Sequence, residues 1–557
     1  MENYALWIII RRMRIPFLVI IVTFAISIIG LMMIEGVDDS GHPYKMNFFD
    51  AFYFVSYMAS TIGFGEAPYT FTYPQRLWVS FCIYLTVIGW FYGIGTIVAL
   101  IQDKTLAEEL TRNRFKKNLK AIGGDFILFF GYSKVTREII ERLNSYEHRI
   151  VVIDKDENKI NALELEGYNP VVPALKGNIE DSETLKFAGI EMENCKWIVS
   201  LLKDETKNVK LALMCKILNE KASVIVKATN KEYKEYLLNI GVENVIDPFK
   251  IISKRIYLAH TALSLWILER WVMTGILHNK DLDKYLFPKG KYIVCSSGRM
   301  GKAISNGLKM AKIPHTVLNI ERCKGENCAN RVFGDEEDLK LLEKSGVREA
   351  AAIIAATRDD FINLMILKSA KKINPDIFTI ARENTLDDLS IFEAAHLNRN
   401  YILEEILIEK TFNYIAKPLA NLFVKQITKK SEDWGKVLIE KLLIEVGENP
   451  NLYEIEIDED EAYALFQRLK NKEKIKYEVI LRDRGDWKRK AKVIILLLKR
   501  ENEIILQPNS KMNIHIGDKL LIAATKESFY DFQYIVENYY ELKYVMYGED
   551  KTFNFFE

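Results

Sequence analysis

The sequence is poor in the residues that bind transition metals or form disulfide bridges. It contains only six cysteines and seven histidines in 557 residues. Cys323 and Cys328 are close enough to suggest a metal pair, but no histidine and no second cysteine pair accompanies them. No two histidines have the His-x-x-x-His spacing. We therefore predict reduced thiols at the cysteine pair and surface or packing roles for the histidines.

Neither sign of charge is in excess. Lysine and arginine total 77, and aspartate and glutamate total 76. This balance offers no basic face, which argues against a nucleic-acid partner. Hydrophobic residues make up 49% of the chain, yet the mean hydropathy is only −0.05, so a membrane-embedded part must be a minority beside a soluble mass. The length allows three or four domains.

Two long segments lack any charged residue. These are residues 16–34 and 77–101. At ~1.5 Å rise per residue, each covers roughly 28 Å or more as a helix, which is close to the thickness of a bilayer core. The first run is too long for a signal peptide, and no small-residue cleavage site follows it. We predict membrane helices at about 16–35 and 76–102.

Residues 47–60 form a third apolar segment, rich in aromatic side chains, between the two spans. Asn47 is a plausible N-cap for a helix that is too short to cross a bilayer. Such a helix is expected to be re-entrant. The irregular segment after it then has to line water or be buried in protein. In that segment Gly63 and Gly65 alternate with larger residues, which lets the backbone turn its carbonyl groups inward.

The charges that flank the spans predict the orientation. Arg11, Arg12 and Arg14 precede the first span, and six lysines and arginines follow the second between positions 104 and 120. By the positive-inside rule both termini are cytoplasmic, in a multi-pass protein of the cell (inner) membrane. Everything after about residue 103 then lies in the cytosol, where thiols stay reduced.

The segment from Thr61 to Gly65 resembles the Thr-Val-Gly-Tyr-Gly selectivity filter of potassium channels. The resemblance implies that backbone carbonyls replace the water shell of potassium ions, and that the Thr61 hydroxyl completes the innermost ion site. The sequence departs from the commonest filter at Phe64, usually tyrosine, and at Glu66, usually aspartate. Phe64 has no hydroxyl with which to hydrogen-bond to the aromatic side chains around the filter. The residues implied for the filter are Thr61, Ile62, Gly63, Phe64 and Gly65.

The cytosolic part contains the same order of strand, turn and helix twice. An apolar strand at 126–130 leads into a turn and an amphipathic helix, and a second strand at 149–153 ends at Asp154. The same order recurs from 291–295 to Asn319, and later segments stay in step. Strands that alternate with helices at this spacing indicate parallel βαβ units, so each copy is predicted to be a doubly wound α/β domain.

The paired copies resemble RCK (KTN) domains, the cytosolic regulators of potassium conductance. Behind a two-span pore, the whole chain looks like a prokaryotic RCK-gated potassium channel. This implies a tetrameric α-helical pore, two Rossmann-like RCK domains and a small α+β C-terminal lobe. It also implies a homotetramer in the lipid bilayer with an eight-RCK gating ring that pulls on the second membrane helix. The implied boundaries are 1–110 for the pore domain, with the pore helix and filter at 47–66, and 111–285 for the first RCK domain with its helical crossover. The second RCK domain is implied at 286–430, the C-terminal lobe at 431–530 and a tail at 531–557.

The resemblance also places a gate in the second span. Gly93 lies where such channels carry a hinge glycine, and Ile97 and Ile101 would narrow the cytoplasmic mouth. An alternative is that Gly93 and Gly95 only permit close packing of helices.

Each copy has an incomplete Gly-x-Gly-x-x-Gly turn, the motif that holds a nucleotide pyrophosphate at a helix N-terminus. The first copy keeps Gly131, has Ser133 and Thr136 at the other glycine positions, and has Asp154 placed for a ribose. The second copy has both later glycines, so we favour it over the first for an adenine nucleotide (NAD, ADP or ATP). An alternative for either copy is a vestigial Rossmann core kept for packing. The candidates in the second copy are Ser296, Gly298, Arg299, Met300, Gly301, Asn319, Glu321, Gly334 and Asp335.

Calcium is a further possible ligand because some RCK channels are calcium-gated. The positions of their carboxylates correspond here to Ser200, Lys227 and Thr229, and a lysine at a cation site argues against calcium there. Acidic clusters elsewhere leave calcium possible and its position unknown.

We predict a ligand-gated potassium channel rather than an enzyme. No His–acid or Tyr–Lys constellation with catalytic spacing follows either turn. The alternatives are a membrane-anchored NAD-dependent oxidoreductase and a non-conducting membrane-anchored nucleotide sensor.

Overall fold

The computed structural model describes residues 4–277, 286–296, 298–319, 331–334, 338–384 and 389–548. The chain divides into two compact units, Met1–Gly123 and Gly124–Glu557. The predicted boundary at residue 110 lies inside a helix that the first unit contains whole.

The first unit is almost entirely helical. Its elements are α1 (Tyr4–Met33), β1 (Gly36–Val37), β2 (Pro43–Tyr44), α2 (Phe48–Ala59), α3 (Tyr73–Ile101) and α4 (Lys104–Lys120). In the described residues, two helical segments are long and apolar enough to cross a membrane, Ile9–Met33 and Tyr73–Ile101. The first helix begins at Tyr4, well before the predicted start, and Pro16 lies inside it. A proline removes one backbone hydrogen bond, but the chain on both sides of Pro16 continues as helix.

The first half of the second unit is a six-stranded parallel sheet with helices between its strands. The strand order β5-β4-β3-β6-β7-β8 is that of a doubly wound fold. The strands are β3 (Phe126–Phe130), β4 (Arg149–Asp154), β5 (Ala174–Lys176), β6 (Cys195–Ser200), β7 (Ser223–Lys227) and β8 (Asn244–Ile246). The helices are α5 (Lys134–Asn144), α6 (Glu157–Leu165), α7 (Ser182–Phe187), α8 (Glu205–Leu218) and α9 (Lys231–Asn239). The predicted α/β architecture of the first copy is confirmed.

Two helices then connect this copy to the next, α10 (Pro248–Thr261) and α11 (Leu263–Thr274). The apolar stretch 258–268 lies across both helices, with Leu258, Leu265 and Leu268 buried and Leu263 partly buried. Ala262 ends α10 and precedes α11, so the stretch is not one continuous helix.

The second copy repeats the first sheet strand for strand. Its order β11-β10-β9-β12-β13-β14 is again fully parallel. The strands are β9 (Tyr292–Cys295), β10 (His315–Asn319), β11 (Arg331–Phe333), β12 (Ala352–Ala355), β13 (Phe378–Glu383) and β14 (Arg399–Ile402). The helices are α12 (Arg299–Met310), α13 (Leu339–Lys344), α14 (Asp360–Ile373), α15 (Leu389–Ala394), α16 (Leu403–Ala416) and α17 (Pro418–Ile427).

The two copies exchange helices. Ile252 and Ile256 of α10, from the first copy, are buried with Tyr292 and Ile304 in the core of the second. In return, residues 407–415 of α16 contribute apolar side chains to the core of the first copy. Neither copy can therefore complete its core without a helix supplied by the other.

The last part of the chain is a small α+β lobe, as predicted. Its four-stranded sheet has the order β15-β18-β16-β17. Helix α11 of the first copy packs into the same core as this lobe, and Trp271 donates a hydrogen bond to the Pro450 carbonyl at 2.7 Å. The elements are α18 (Glu432–Glu445), β15 (Asn451–Glu456), α19 (Tyr463–Lys470), α20 (Tyr477–Ile480), β16 (Val493–Arg500), β17 (Glu503–Leu506), β18 (Lys519–Ala524), α21 (Lys526–Glu537) and α22 (Tyr539–Tyr547).

The aromatic-rich end of the chain forms α21 and α22, which bury Phe532, Ile535 and Leu542 in the core of the lobe. Residues 549–557 lie outside the described residues.

His260, near the end of α10, lies at the interface between the two copies. Its ring packs against Phe287 at 5.2 Å and Tyr292 at 5.4 Å, and its Nε2 is buried without a hydrogen-bond partner. Burial, helped by the charge of Arg399, lowers the pKa of His260 to about 4. The imidazole is therefore neutral at pH 7.

The depressed pKa of His260 predicts a loss of stability in acid. Because the unfolded histidine binds a proton near pH 6.5 and the folded one near pH 4, stability is full above pH 6.5 and falls as the pH drops toward 4. His260→Phe retains the aromatic packing and removes the proton. As the pH falls from 6.5 to 4, we expect the urea midpoint of the wild type to drop further than that of the variant. Parallel pH profiles of urea denaturation would contradict this account.

The turns after β3 and β9 have the same unusual backbone. Gly131 has a φ of +86°, and Ser296, at the equivalent position, has a φ of +117°. A side chain resists this conformation, so Ser296 is strained by about 1–3 kcal/mol. A Cβ at Gly131 would lie 2.7 Å from the Leu202 Cδ2.

Gly131→Ala is therefore expected to destabilise the cytosolic unit for two reasons. The left-handed conformation costs about 1–2 kcal/mol, and the overlap with Leu202 adds about 1–3 kcal/mol. Gly241→Ala is the matched control, because Gly241 has a φ of +80° and an added Cβ would meet nothing within 4 Å. Denaturant unfolding of both variants measures the excess, and equal losses would refute the proposed overlap.

Candidate functional site

The first candidate site is the loop that follows α2. Asn47 caps this helix as predicted, with its side chain accepting the Asp50 backbone N–H at 2.9 Å. Beyond the helix, Thr61, Gly63 and Gly65 have φ values of +62°, +67° and +99°. These positive values alternate with ordinary backbone at Ile62 and Phe64. A Cβ at either glycine would meet nothing within 4 Å, so the constraint is conformational and not spatial.

Glu66 anchors the outer end of this loop. Its carboxylate accepts hydrogen bonds from the Arg76 guanidinium at 2.8 and 3.1 Å and from the Phe71 backbone N–H at 2.8 Å. Both oxygens are engaged by one guanidinium, which gives the pair a defined geometry. The Arg76 and Phe71 hydrogen bonds lower the pKa of Glu66. The loop is thereby fixed to the start of α3.

The predicted gate lies on a continuous helix. Gly93 is buried, and a Cβ there would lie 2.7 Å from the Ile20 Cδ1 of α1. This contact is what the packing alternative requires, while a Cβ at Gly95 would meet nothing. Ile97 and Ile101 are exposed within the single chain. The hinge at Gly93 and the gate at Ile97 and Ile101 stay predictions.

The second candidate site is the turn from β9 into α12. The Ser296 N–H donates to the Leu318 carbonyl at 3.1 Å, which ties the turn to β10. A Cβ at Gly301 would lie 1.8 Å from the Ser296 carbonyl oxygen, so only glycine allows this close approach. Gly298 caps α12 and has no side chain to occupy the first backbone N–H groups of the helix. Such a helix end is suited to a phosphate.

In the equivalent turn of the first copy, side chains of the turn itself accept hydrogen bonds from its backbone N–H groups. The Ser133 hydroxyl accepts the Thr136 N–H at 3.3 Å, and the Thr136 hydroxyl accepts the Ser133 N–H at 2.6 Å. Asp154, predicted to face a ribose, is buried and accepts the Tyr132 N–H at 2.7 Å. Lys159 lies 3.4 Å from the same carboxylate. The structure thus brings Gly131, Ser133 and Asp154 together, with their polar groups already satisfied.

Arg299 links the two copies. It follows Gly298 in the second turn, and its guanidinium donates to Glu205 at 3.1 Å and to the Thr229 hydroxyl at 3.0 Å, both in the first copy. Burial would raise the pKa of Glu205, but hydrogen bonds from Thr229 and Asn230, together with the Arg299 charge, lower it overall. The predicted nucleotide turn is therefore in direct electrostatic contact with the neighbouring sheet.

The positions compared with a calcium site lie beside this contact. The Ser200 hydroxyl donates to Asn208 at 2.7 Å, and burial lowers the pKa of Lys227. Thr229 donates to Glu205, which is already paired with the cationic Arg299. Among the described residues, no group of three or more histidines, cysteines, aspartates or glutamates is arranged to hold a metal ion.

Glu321 and Asp335, like Cys323 and Cys328, lie outside the described residues. Asn319 ends β10, and Met300 is fully buried under the turn. Gly334 follows β11 with a φ of +151°.

Two arginines at the same edge of the second sheet are not among the predicted site residues. Arg358 follows β12, and Arg382 lies near the end of β13. Burial lowers the pKa of Arg382, Asp360 opposes that change, and the charges of Arg358 and Arg299 lower it further. The signal was available, because residues at the carboxyl ends of parallel strands face the ligand crevice of such folds.

Comparisons with known proteins agree with this architecture. A model of the TrkA-N domain matches residues 127–248 and 292–402, which are the two sheet copies. Potassium channel protein 1 of Methanocaldococcus jannaschii is 26% identical over 62% of this chain and 98% of its own length. Probable potassium channel protein 2 of the same organism is 25% identical over 58% of this chain and 95% of its own length.

One solved structure resembles nearly the whole chain. The GsuK channel bound to NAD superposes with a TM-score of 0.50 and 16% identity, covering 96% of this chain and 99% of that one. At this identity the likeness concerns the fold. The chain thus carries two TrkA-N (RCK) domains behind two membrane-length helices, and it is similar to proteins named as potassium channels.

Proposed function

We propose that this protein is a potassium-selective channel that is opened or closed by a ligand of its cytosolic RCK domains. The observation that carries the proposal is the alternation of positive φ at Thr61, Gly63 and Gly65 on a loop between two membrane-length helices. Relatives that match most of their own length are named as potassium channels. The carbonyls of Thr61, Ile62, Gly63 and Phe64 would form the rings that replace the water shell of potassium ions.

A single copy of this loop cannot enclose an ion. We therefore propose a homotetramer, in which four loops surround one axis and eight RCK copies form the cytosolic ring. The exposed apolar surfaces of α1 and α3 would face lipid or neighbouring subunits. The flanking arginines and lysines support an orientation with both termini in the cytoplasm of the cell (inner) membrane. The domain boundaries given above are part of this proposal.

We further propose that the ligand is an adenine nucleotide at the second copy. The open N-terminus of α12, the close approach at Gly301 and the arginines Arg299, Arg358 and Arg382 support phosphate binding there. In the first copy, Ser133, Thr136 and Asp154 already hydrogen-bond to the turn itself. Calcium is not needed for this mechanism.

Arg299 would couple ligand binding at the second copy to the first copy. A phosphate at the α12 N-terminus would compete with Glu205 and Thr229 for the same guanidinium. A ligand moves an equilibrium only through its different affinity for the two states. Shifting a gate from 99:1 to 1:99 needs about 5.5 kcal/mol, or about 1.4 kcal/mol at each of four sites, which is within the range of one such exchange.

Gly63→Ala tests the pore. A Cβ disfavours the left-handed backbone at a φ of +67°, so we expect potassium flux into liposomes to fall at least a hundredfold while the oligomer persists. Gly41→Ala is the matched control, since Gly41 has a φ of +82° in the β1–β2 hairpin, outside the filter. Selective flux at the wild-type level in Gly63→Ala would refute the filter. Absence of flux in the wild type would favour the non-conducting sensor, and cofactor turnover would favour the oxidoreductase.

Gly298→Asp tests the nucleotide site. Aspartate is a good N-cap, so α12 is expected to persist, but its carboxylate would occupy the N–H groups and repel a phosphate. We expect at least a tenfold loss of affinity for NAD, ADP or ATP by calorimetry on the full-length protein. The equivalent change in the first copy, Ser133→Asp, is expected to have little effect. The reverse ranking of the two variants would assign the nucleotide to the first copy.

A further inference from the structure

Tyr57, in the last turns of α2, contacts the filter loop at both ends. Its side chain is 95% buried, with a relative exposure of 5%. Its backbone carbonyl accepts the Ile62 N–H at 2.9 Å, at the inner end of the loop. Its hydroxyl donates to the Gly65 carbonyl oxygen at 2.6 Å, at the outer end. One residue therefore spans the segment that carries the proposed ion sites.

The second contact also determines which carbonyls are available to ions. The Gly65 carbonyl accepts the phenol of Tyr57 and so faces the pore helix. The carbonyl rings would then end at Phe64. The Phe64 side chain packs edge-on against the Tyr57 ring at 5.5 Å and has no hydroxyl of its own. Position 64 has no phenol, but the neighbouring Tyr57 side chain carries one.

The Tyr57 ring is itself held on two sides. Tyr53 packs against it at 5.3 Å and Phe54 at 5.2 Å, and Phe54 also contacts Phe71 at 4.8 Å. Phe71 donates its N–H to Glu66, which is paired with Arg76. The outer half of the loop is thus fixed to α2 by the Tyr57 hydroxyl and to α3 by Glu66.

We propose that Tyr57 is a positioning residue that keeps the filter in its conducting geometry, in place of the hydroxyl missing from Phe64. The inference rests on the proposed function, since a conducting geometry exists only if the protein conducts. A hydroxyl bond of this kind contributes modestly on its own. Its effect falls on a strained backbone, where a small free-energy difference decides between two conformations.

Tyr57→Phe in the full-length protein tests the proposal. This change removes the hydroxyl and retains the ring, so the tetramer is expected to assemble as the wild type does. We expect the mean lifetime of the conducting state in single-channel recordings to fall about tenfold, with a lower preference for potassium over sodium. Tyr53→Phe is the matched control, because Tyr53 lies on the same helix and is half exposed.

Potassium concentration separates this role from general destabilisation. Ions that bind only the conducting filter stabilise it by mass action, so raising external potassium is expected to lengthen the shortened lifetime of Tyr57→Phe. A variant damaged in folding would not recover in this way. The carbonyl ¹³C shift of Gly65, measured by NMR on the assembled protein, reports the hydrogen bond without any need for flux.

The possible outcomes are distinct. Wild-type flux together with an unchanged conducting lifetime in Tyr57→Phe would overturn the inference and leave the proposed function standing. An unchanged Gly65 carbonyl shift would overturn it independently. Absence of flux from the wild type would overturn the proposed function and this inference together. A shortened lifetime that potassium restores, seen in Tyr57→Phe and not in Tyr53→Phe, would establish the role.

Discussion

The exchange of helices between the two sheet copies is the constraint on which the cytosolic unit depends. Ile252 and Ile256 complete the core of the second copy, and apolar residues of α16 complete that of the first. Burial of apolar side chains is the main favourable term in folding, so neither core is complete alone. The C-terminal lobe joins the same arrangement through Trp271 and α11. A displacement of one copy is therefore resisted by the cores of both.

This exchange places the carboxyl ends of the strands of the second sheet beside those of the first sheet. Arg299, at the N-terminus of α12, donates hydrogen bonds to Glu205 and Thr229 of the first copy. The first turn is closed by hydrogen bonds of Ser133, Thr136 and Asp154 to its own backbone. The two copies thus differ on one backbone plan. The helix after the first turn is capped by side chains of that turn, whereas α12 of the second copy has no side-chain cap.

The membrane unit follows a different principle. The loop at residues 61–66 is exposed and contributes little to a core, and its geometry is set by backbone conformation. Gly63 and Gly65 take positive φ without steric crowding, whereas Thr61 does so with a side chain. Such strain persists only where surrounding contacts hold it. Tyr57 and the Glu66–Arg76 pair supply those contacts, so the loop depends on α2 and α3 for its shape.

The sequence alone determined the two spans, the Asn47 cap, the glycine alternation and the duplication of the sheet, because each depends on local composition or on regular spacing. The tertiary structure decided the rest. The start of α1 before Pro16, the break at Ala262 and the exchange of α10 and α16 depend on packing between distant segments. The same holds for Tyr57 with Gly65 and for Arg299 with Glu205, which join residues that no spacing rule relates. Ser296 shows the limit most clearly, since a serine gives no sign in sequence of the left-handed backbone that the fold imposes on it.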